Sequence, residues 1–332
     1  MMIISRTPVR ISFFGGGTDY PSYYQRLSGN ILGATVNKFT YVSVNTLSDF
    51  FDHKIRIGYS KTELVKSIHE IEHPSIRECL KFMNIESNLD IHIFSDLPAK
   101  TGLGSSSSFT VGFLNALYAL QGKRVSKQKL GEQACYIEQK MIGENVGSQD
   151  QFHAAYGGLN IMEFNDSNIR VKPVVMSGEK LDWLEQHLMV FYTGLTRFAS
   201  DVVKEQIENT KNKSKDDYLS KMGAMVPTAE DILTHAKKEE MPGILGSLLH
   251  QSWELKKNLS SKISNPIIDQ AYEQALAAGA YGGKLCGAGS GGFLALLVRP
   301  DLQAQVKTSL NSLLQVDLGF ENTGSTIIYM KD

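Results

Sequence analysis

The sequence predicts an α+β fold in two domains. Three observations predict it. The chain has 332 residues, about two domains at the usual domain size. Its first half mixes strand and helix patterns. Its second half is mostly helical from about 197 to 278 and then returns to strand-like runs. Hydrophobic residues make up 42% and charged residues 21%, so a large core is available and global disorder is not expected.

The elements follow in order. Val9 to Phe14 reads as a strand that ends in Gly15-Gly16-Gly17. Ile31 to Val36 and Phe39 to Thr46 read as two strands around Asn37-Lys38, a tight-turn candidate. Lys54 to Tyr59 is a short strand and Pro74 to Met83 a helix. Leu89 to Ser95 alternates apolar and polar residues, as a half-exposed strand does. Phe109, Phe113, Leu117 and Leu120 recur at helical spacing, as do Leu130, Ala134, Ile137 and Met141. Gly157 to Phe164 is strand-like. A second unit is expected to begin near 180, dividing the chain into 1–178 and 179–332. It opens with a strand at Leu188 to Thr193, continues through helices with a charged turn near Asn212 to Asp217, and closes with strands at Tyr281 to Leu285, Phe293 to Val298 and Ser325 to Met330.

Composition excludes several classes. A net charge of −1 gives no global attraction to nucleic acid or to an anionic membrane. Cys79, Cys135 and Cys286 lie far apart with no CxxC pair, so neither a disulfide framework nor a zinc site is expected. The first residues lack the apolar core of a signal peptide, and no apolar run reaches membrane-spanning length. A cytoplasmic protein is the expectation.

The most informative stretch is Pro98-Ala99-Lys100-Thr101-Gly102-Leu103-Gly104-Ser105-Ser106-Ser107-Ser108, between a strand and a helix. Glycines let a ligand approach the backbone closely. The first N–H groups of a helix are unpaired and carry the positive end of its dipole. A phosphate fits there, with serine hydroxyls adding bonds or a metal ligand. A serine N-cap is the plainer alternative, but four serines after Gly-Leu-Gly exceed what a cap needs. A third glycine segment, 282–292, contains a formal GxGxxG at Gly287, Gly289 and Gly292. It is followed by the strand-like Phe293 to Val298 rather than a helix, which excludes a dinucleotide fingerprint. No Walker A pattern is present. Phosphoryl transfer also needs an oxygen-ligated metal and a carboxylate to orient the attacking hydroxyl. Glu138, at the end of a helix, and Asp150, after a glycine-punctuated loop, can supply both. Taken alone, each reads first as a surface carboxylate, the commoner place for such a residue.

Together these segments resemble the GHMP kinase superfamily, named for galactokinase, homoserine kinase, mevalonate kinase and phosphomevalonate kinase. Arg10 to Tyr20 is similar to its first, sugar-binding motif, Pro98 to Ser108 to its second, ATP-cradling motif, and Lys284 to Gly292 to its third, with Gly147 to Gln151 between the last two. The resemblance spans nearly the whole chain. It implies a ribosomal protein S5 domain 2-like N-terminal domain, a ferredoxin-like C-terminal domain and a site between them. It implies ATP and Mg²⁺ as cofactors, with Ser106 and Glu138 as metal ligands and Ser105 or Ser107 as the fallback serine. Asp150 matches the catalytic base, Arg10 an arginine that offsets charge near the reacting hydroxyl, and Asp19 the carboxylate that holds sugar hydroxyls. Gly15, Gly16, Gly17, Thr18 and Tyr20 belong to the sugar motif, and Gly287, Gly289 and Gly291 to the loop that completes the site.

Departures refine the expectation. Galactokinases carry Glu-His before Thr-Asp-Tyr, where this chain has Gly16-Gly17; the loss of two side chains makes room for a larger or phosphorylated sugar. The first motif, Val36-Asn37-Lys38 and Tyr192-Thr193-Gly194-Leu195-Thr196-Arg197 are similar to those of heptose 7-phosphate kinases, which phosphorylate the anomeric hydroxyl. L-fucose kinases share part of this pattern. A catalytically inactive sugar sensor and a nucleotide-binding oxidoreductase are the other classes. Arg197 and Lys38, with Thr193 and Gly194, are candidates for holding the substrate and gripping its phosphate. Lys284 either approaches the ATP phosphates or flanks the third motif. Expected partners are therefore a sugar phosphate and ATP, with no nucleic acid and no membrane; the oligomeric state stays open.

Overall fold

The computed structural model describes residues 1–86, 88–98, 101–195 and 199–331. Arg197 therefore lies outside the described residues, as do Ala99 and Lys100 of the second glycine motif.

The first strand runs much further than its apolar core. β1 spans Met2–Phe14 and pairs antiparallel with β2, Gly29–Thr46, after a short helix α1, Pro21–Leu27. The turn expected at Asn37-Lys38 is absent: β2 passes through it unbroken. Pro8 opposes Phe39 and Val9 opposes Val36, so Asn37 and Lys38 form a bulge in one long strand. Pro8 cannot donate to the ladder, and the extra residues sit where pairing is interrupted. β3 (Ile55–Gly58), β4 (Thr62–Val65) and β5 (Leu89–Ser95) extend the sheet, with helix α2, Pro74–Met83, between β4 and β5. Then come α3 (Ser105–Leu120), α4 (Lys127–Tyr136), a π-helical turn at Ile137–Ile142, and α5 (Gln149–Tyr156). β6 (Leu159–Phe164) and β7 (Ile169–Pro173) add to the N-terminal half of β2.

α6 (Gly178–His187) leads into β8 (Leu188–Tyr192). Four helices follow: α7 (Ala199–Lys211), α8 (Asp216–His235), α9 (Met241–Lys257) and α10 (Pro266–Ala277). β9 (Ala280–Leu285), β10 (Phe293–Val298), α11 (Gln303–Ser309), β11 (Leu314–Gln315) and β12 (Thr326–Lys331) complete the chain. A second antiparallel sheet runs β11-β8-β10-β9. β12 instead pairs with β1 at the edge of the first sheet.

α3 packs on β1, β2, α4 and α5. Val111, Phe113, Leu114 and Leu117 of α3 join Val42, Val44 and Ile91 in one core. A second core joins Val9 and Ile11 of β1 to Val226 of α8, Leu245 and Leu249 of α9, and Phe293 of β10. That core joins the two sheets. All three cysteines are buried and free, and no helix among the described residues is long and apolar enough to cross a membrane.

Candidate active site

Two of the three glycine loops meet, and all three line one cavity. Gly102 has φ +85° and Gly287 φ +79°, and a Cβ on Gly287 would lie 2.4 Å from Gly102 Cα. Only glycine allows both the left-handed backbone and this approach. Between the loops lies a cavity of about 800 Å³.

Tyr59, His73 and Phe109 form one wall. Their rings touch in sequence, Tyr59 to His73 at 5.1 Å and His73 to Phe109 at 5.2 Å between centroids. Phe109 stands one turn beyond Ser105 on α3. Gly104 caps that helix with φ +78° and supplies no side-chain bond, so the first N–H groups of α3 keep their donor capacity beside the aromatic wall. Ser105 and Ser106 line the cavity. Ser108 does not; its hydroxyl donates to Pro8 O at 2.7 Å and ties α3 to β1. Leu103 is buried, and its carbonyl accepts from Arg10 N at 2.9 Å. Pro98 is exposed and accepts from the Thr101 hydroxyl at 3.0 Å.

The structure brings Arg10 and Asp150 together. Arg10 Nε donates to Asp150 Oδ1 at 2.8 Å and Nη2 lies 2.6 Å from the same oxygen, while Nη1 donates to Gly102 O at 2.7 Å. Asp150 stands in the first turn of α5, against Gly104. Asp19 is buried close by. Its carboxylate accepts from Gly17 N at 3.1 Å and Gln149 N at 3.4 Å. Burial, then the Asp150 charge, push its pKa above the usual carboxylate range.

Ser106 and Glu138 are not in direct contact. Glu138 lies in the π-helical turn, fully buried and behind the cavity lining. Ser107 donates to its Oε2 at 2.8 Å and Gln151 at 2.5 Å, while Oε1 is buried with no hydrogen-bond partner among the described residues. Burial pushes Glu138 up to about 7. A buried carboxylate with an orphaned oxygen, next to serine hydroxyls, suits a hard oxygen-seeking cation such as Mg²⁺. Among the described residues no group of three or more His, Cys, Asp or Glu could hold a metal by itself, so phosphate oxygens would have to complete the shell.

Other expected residues separate into lining and support. Gly16, Gly17 and Tyr20 line the cavity. Gly15 and Thr18 support it: a Cβ on Gly15 would meet Asn30 O at 1.8 Å, and the Thr18 hydroxyl donates to Gly15 O at 2.8 Å. Gly287 lines the cavity, whereas Gly289 packs on Ile263 and Gly291 on Leu195. Thr193 clasps Gly292, its hydroxyl donating to Gly292 O at 3.0 Å; Gly194 is exposed. Lys38 sits in the β2 bulge, outside the cavity lining, because the expected turn is strand. Lys284 lines the cavity, and so does Lys256, which the sequence reading missed. Lys256 stands in Leu255-Lys256-Lys257 at a helix end, a pattern that reads as solvated cations.

A Gly-Ser helix start, a carboxylate–arginine pair and three glycine loops around one cavity define a small-molecule kinase. The chain belongs to the GHMP kinase family: the GHMP kinases N terminal domain matches residues 74–158 and the GHMP kinases C terminal domain residues 237–315. It is 30% identical over 315 residues, 90% of each chain, to the D-glycero-alpha-D-manno-heptose 7-phosphate kinase of Campylobacter jejuni. It is 25% identical to the L-fucokinase/L-fucose-1-P guanylyltransferase of Bacteroides fragilis, over 92% of this chain and 35% of that protein. The fold is similar to the crystal structure of a D-glycero-D-manno-heptose 1-phosphate kinase from Bacteroides thetaiotaomicron, with a TM-score of 0.79, 24% identity and coverage of 99% and 100% of the two chains. The protein is a GHMP sugar kinase with ATP as phosphate donor, and its fold is the two-domain fold of that family.

Proposed function

We propose that the protein phosphorylates the anomeric hydroxyl of D-glycero-D-manno-heptose 7-phosphate, giving the 1,7-bisphosphate. The observation that carries the chemistry is the Arg10–Asp150 pair, set against the glycines of the second loop. Both Arg10 nitrogens converge on Oδ1, leaving Oδ2 to meet the sugar hydroxyl. Asp150 orients that hydroxyl and takes its proton as the oxygen attacks. Arg10 holds the carboxylate in place and offsets charge on the transferring group. The Tyr59–His73–Phe109 wall suits a nucleobase, and the start of α3 suits the nucleotide phosphates. Ser106 and Glu138 would hold Mg²⁺, which neutralises charge on the phosphate oxygens when bound. Asp19 holds sugar hydroxyls. The heptose assignment is supported by the similarity to the Campylobacter kinase.

An ADP-release assay with Mg-ATP tests it, across heptose 7-phosphate, sedoheptulose 7-phosphate, mannose 6-phosphate, L-fucose, galactose and mevalonate. Turnover confined to the manno-heptose phosphate, with product phosphorylated at C1, is expected. Turnover on L-fucose alone would favour the second reading, a fucose kinase, which the Bacteroides fragilis relative supports.

A further inference from the structure

Two buried lysines in the cavity wall have no part in the phosphoryl transfer just described. Lys256, near the end of α9, is 5% exposed; Lys284, near the end of β9, is 2% exposed. Both line the cavity. Among the described residues their ammonium groups hydrogen-bond only backbone carbonyls, and Lys256 Nζ also stands over the Trp253 ring, 5.8 Å from its centroid. Lys284 Nζ donates to Phe13 O at 2.9 Å, and Lys256 Nζ donates to Leu285 O at 3.0 Å and to Gly287 O at 2.5 Å. An ammonium has three N–H donors, so the pair keeps donors to spare. Burying cations without a contacting counter-ion is costly. The strain shows in their titration: burial pushes Lys284 down to about 8, and burial with the neighbouring Lys284 charge pushes Lys256 down to about 7.

There is room for an anion beside them. A Cβ on Gly16 would meet only Ser12 Oγ at 3.7 Å and Lys284 Nζ at 4.0 Å. The missing side chain therefore leaves open space in front of the Lys284 ammonium. Lys284 Nζ is bonded to Phe13 O, the residue before Phe14 and the first glycine motif, and faces the open side of Gly16. That contact places Lys284 by the first glycine motif, where the sugar is expected, with Lys256 held behind it on the carbonyls of Leu285 and Gly287.

We infer that Lys256 and Lys284 form a subsite for a phosphate monoester dianion, occupied by the phosphate the sugar already carries rather than by the nucleotide's terminal phosphate. The subsite stands on geometry; the identity of its occupant rests on the heptose 7-phosphate reading. It takes over the gripping role expected of Lys38, which lies outside the cavity lining.

Lys284→Gln and Lys256→Gln test it in the full chain, each checked for a native melting transition. The expected result is a KM for heptose 7-phosphate raised on the order of 30-fold, with the KM for ATP within about threefold of wild type, as loss of a charge-assisted contact predicts. Equal rises in both constants would put the dianion on the nucleotide and overturn the inference. Gly16→Glu removes neither lysine and places a carboxylate in the open space before Lys284; it is expected to give the same selective rise, and an unchanged sugar-phosphate KM would count against the subsite. A calorimetric titration with inorganic phosphate, with the nucleotide site filled by a non-hydrolysable ATP analogue, separates the two claims. Phosphate binding that weakens about tenfold or more in the lysine variants supports the subsite even where heptose 7-phosphate is not turned over, in which case the functional reading falls. Phosphate binding indifferent to both lysines overturns the subsite and leaves the kinase reading intact.

Discussion

Asp19 and Gly147 are fitted to each other: a methyl group on Gly147 would lie 1.9 Å from Asp19 Oδ2. The backbone after Gly147 closes around the same residue, Ser148 N donating to Asp19 O at 3.0 Å and Gln149 N to Oδ2 at 3.4 Å. The sugar-motif carboxylate and the loop that delivers Asp150 thus form one assembly, so the spacing of Gly147 from Asp150 is a packing requirement as well as a motif.

Gly147→Ala is therefore expected to cost about 2–3 kcal/mol, as overpacking at a tight site does, and to weaken sugar binding. Urea unfolding measures the first and sugar KM the second. The Asp19→Ala background should recover at least about 1 kcal/mol of the penalty, since the clash partner is gone. Strictly additive losses would mean that the contact is not what Gly147 serves.

Asp150→Asn should lower kcat on the order of a thousandfold while the affinity for ATP stays within about threefold, because the base acts on the sugar hydroxyl. Steady-state kinetics with a parallel nucleotide titration decide it. Matching losses in turnover and ATP binding would contradict a base role.

Glu138→Gln should raise the Mg²⁺ concentration needed for half-maximal rate by about tenfold or more, as loss of a ligand charge does. The Ser107 and Gln151 contacts to this side chain survive in part, so the fold is expected to persist. An unchanged Mg²⁺ dependence removes Glu138 from the ligand set.

His153 predicts an acid limb to stability. It is fully buried, neither ring nitrogen has a hydrogen-bond partner among the described residues, and burial, then the Arg10 charge, lower its pKa from 6.5 to about 3. Between those values the unfolded chain binds the proton that the folded protein refuses. The stability is present above pH 6.5 and is lost as pH falls through the window, at up to about 1.4 kcal/mol per unit. His153→Leu should flatten that slope when chemical denaturation is followed from pH 6.5 to 4. Parallel curves for the two proteins would show that His153 does not set it.

What was legible in the sequence follows from how local each signal is. β5 and α2 keep the expected bounds, Leu89–Ser95 and Pro74–Met83, α2 through its proline in the first turn, but β5 is buried at its start and exposed at its end, with Asp90 buried and Phe94 exposed, rather than alternating. The Asn37-Lys38 turn failed because a bulge and a tight turn use the same polar residues; only the partner strand, broken at Pro8, tells them apart. Arg10 and Asp150 were found through the family pattern, and their contact needs 140 residues of chain to close. Lys256 was invisible because its burial comes from carbonyls of Leu285 and Gly287, about 30 positions away. The direct contact of Ser107 with Glu138 depends on the π-helical turn, which no spacing rule for an α-helix anticipates.

β12 pairs with β1, residue Met2 opposite Lys331 and Arg6 opposite Thr326. β1 therefore leaves the ribosome long before β12, the strand that pairs along its start, has been made. During synthesis β1 offers an open edge to any passing chain. Closing that edge joins residues about 320 positions apart, a slow class of contact. Helper chaperones, slow translation and low temperature should thus raise the yield of active enzyme more than stabilising changes in the finished core.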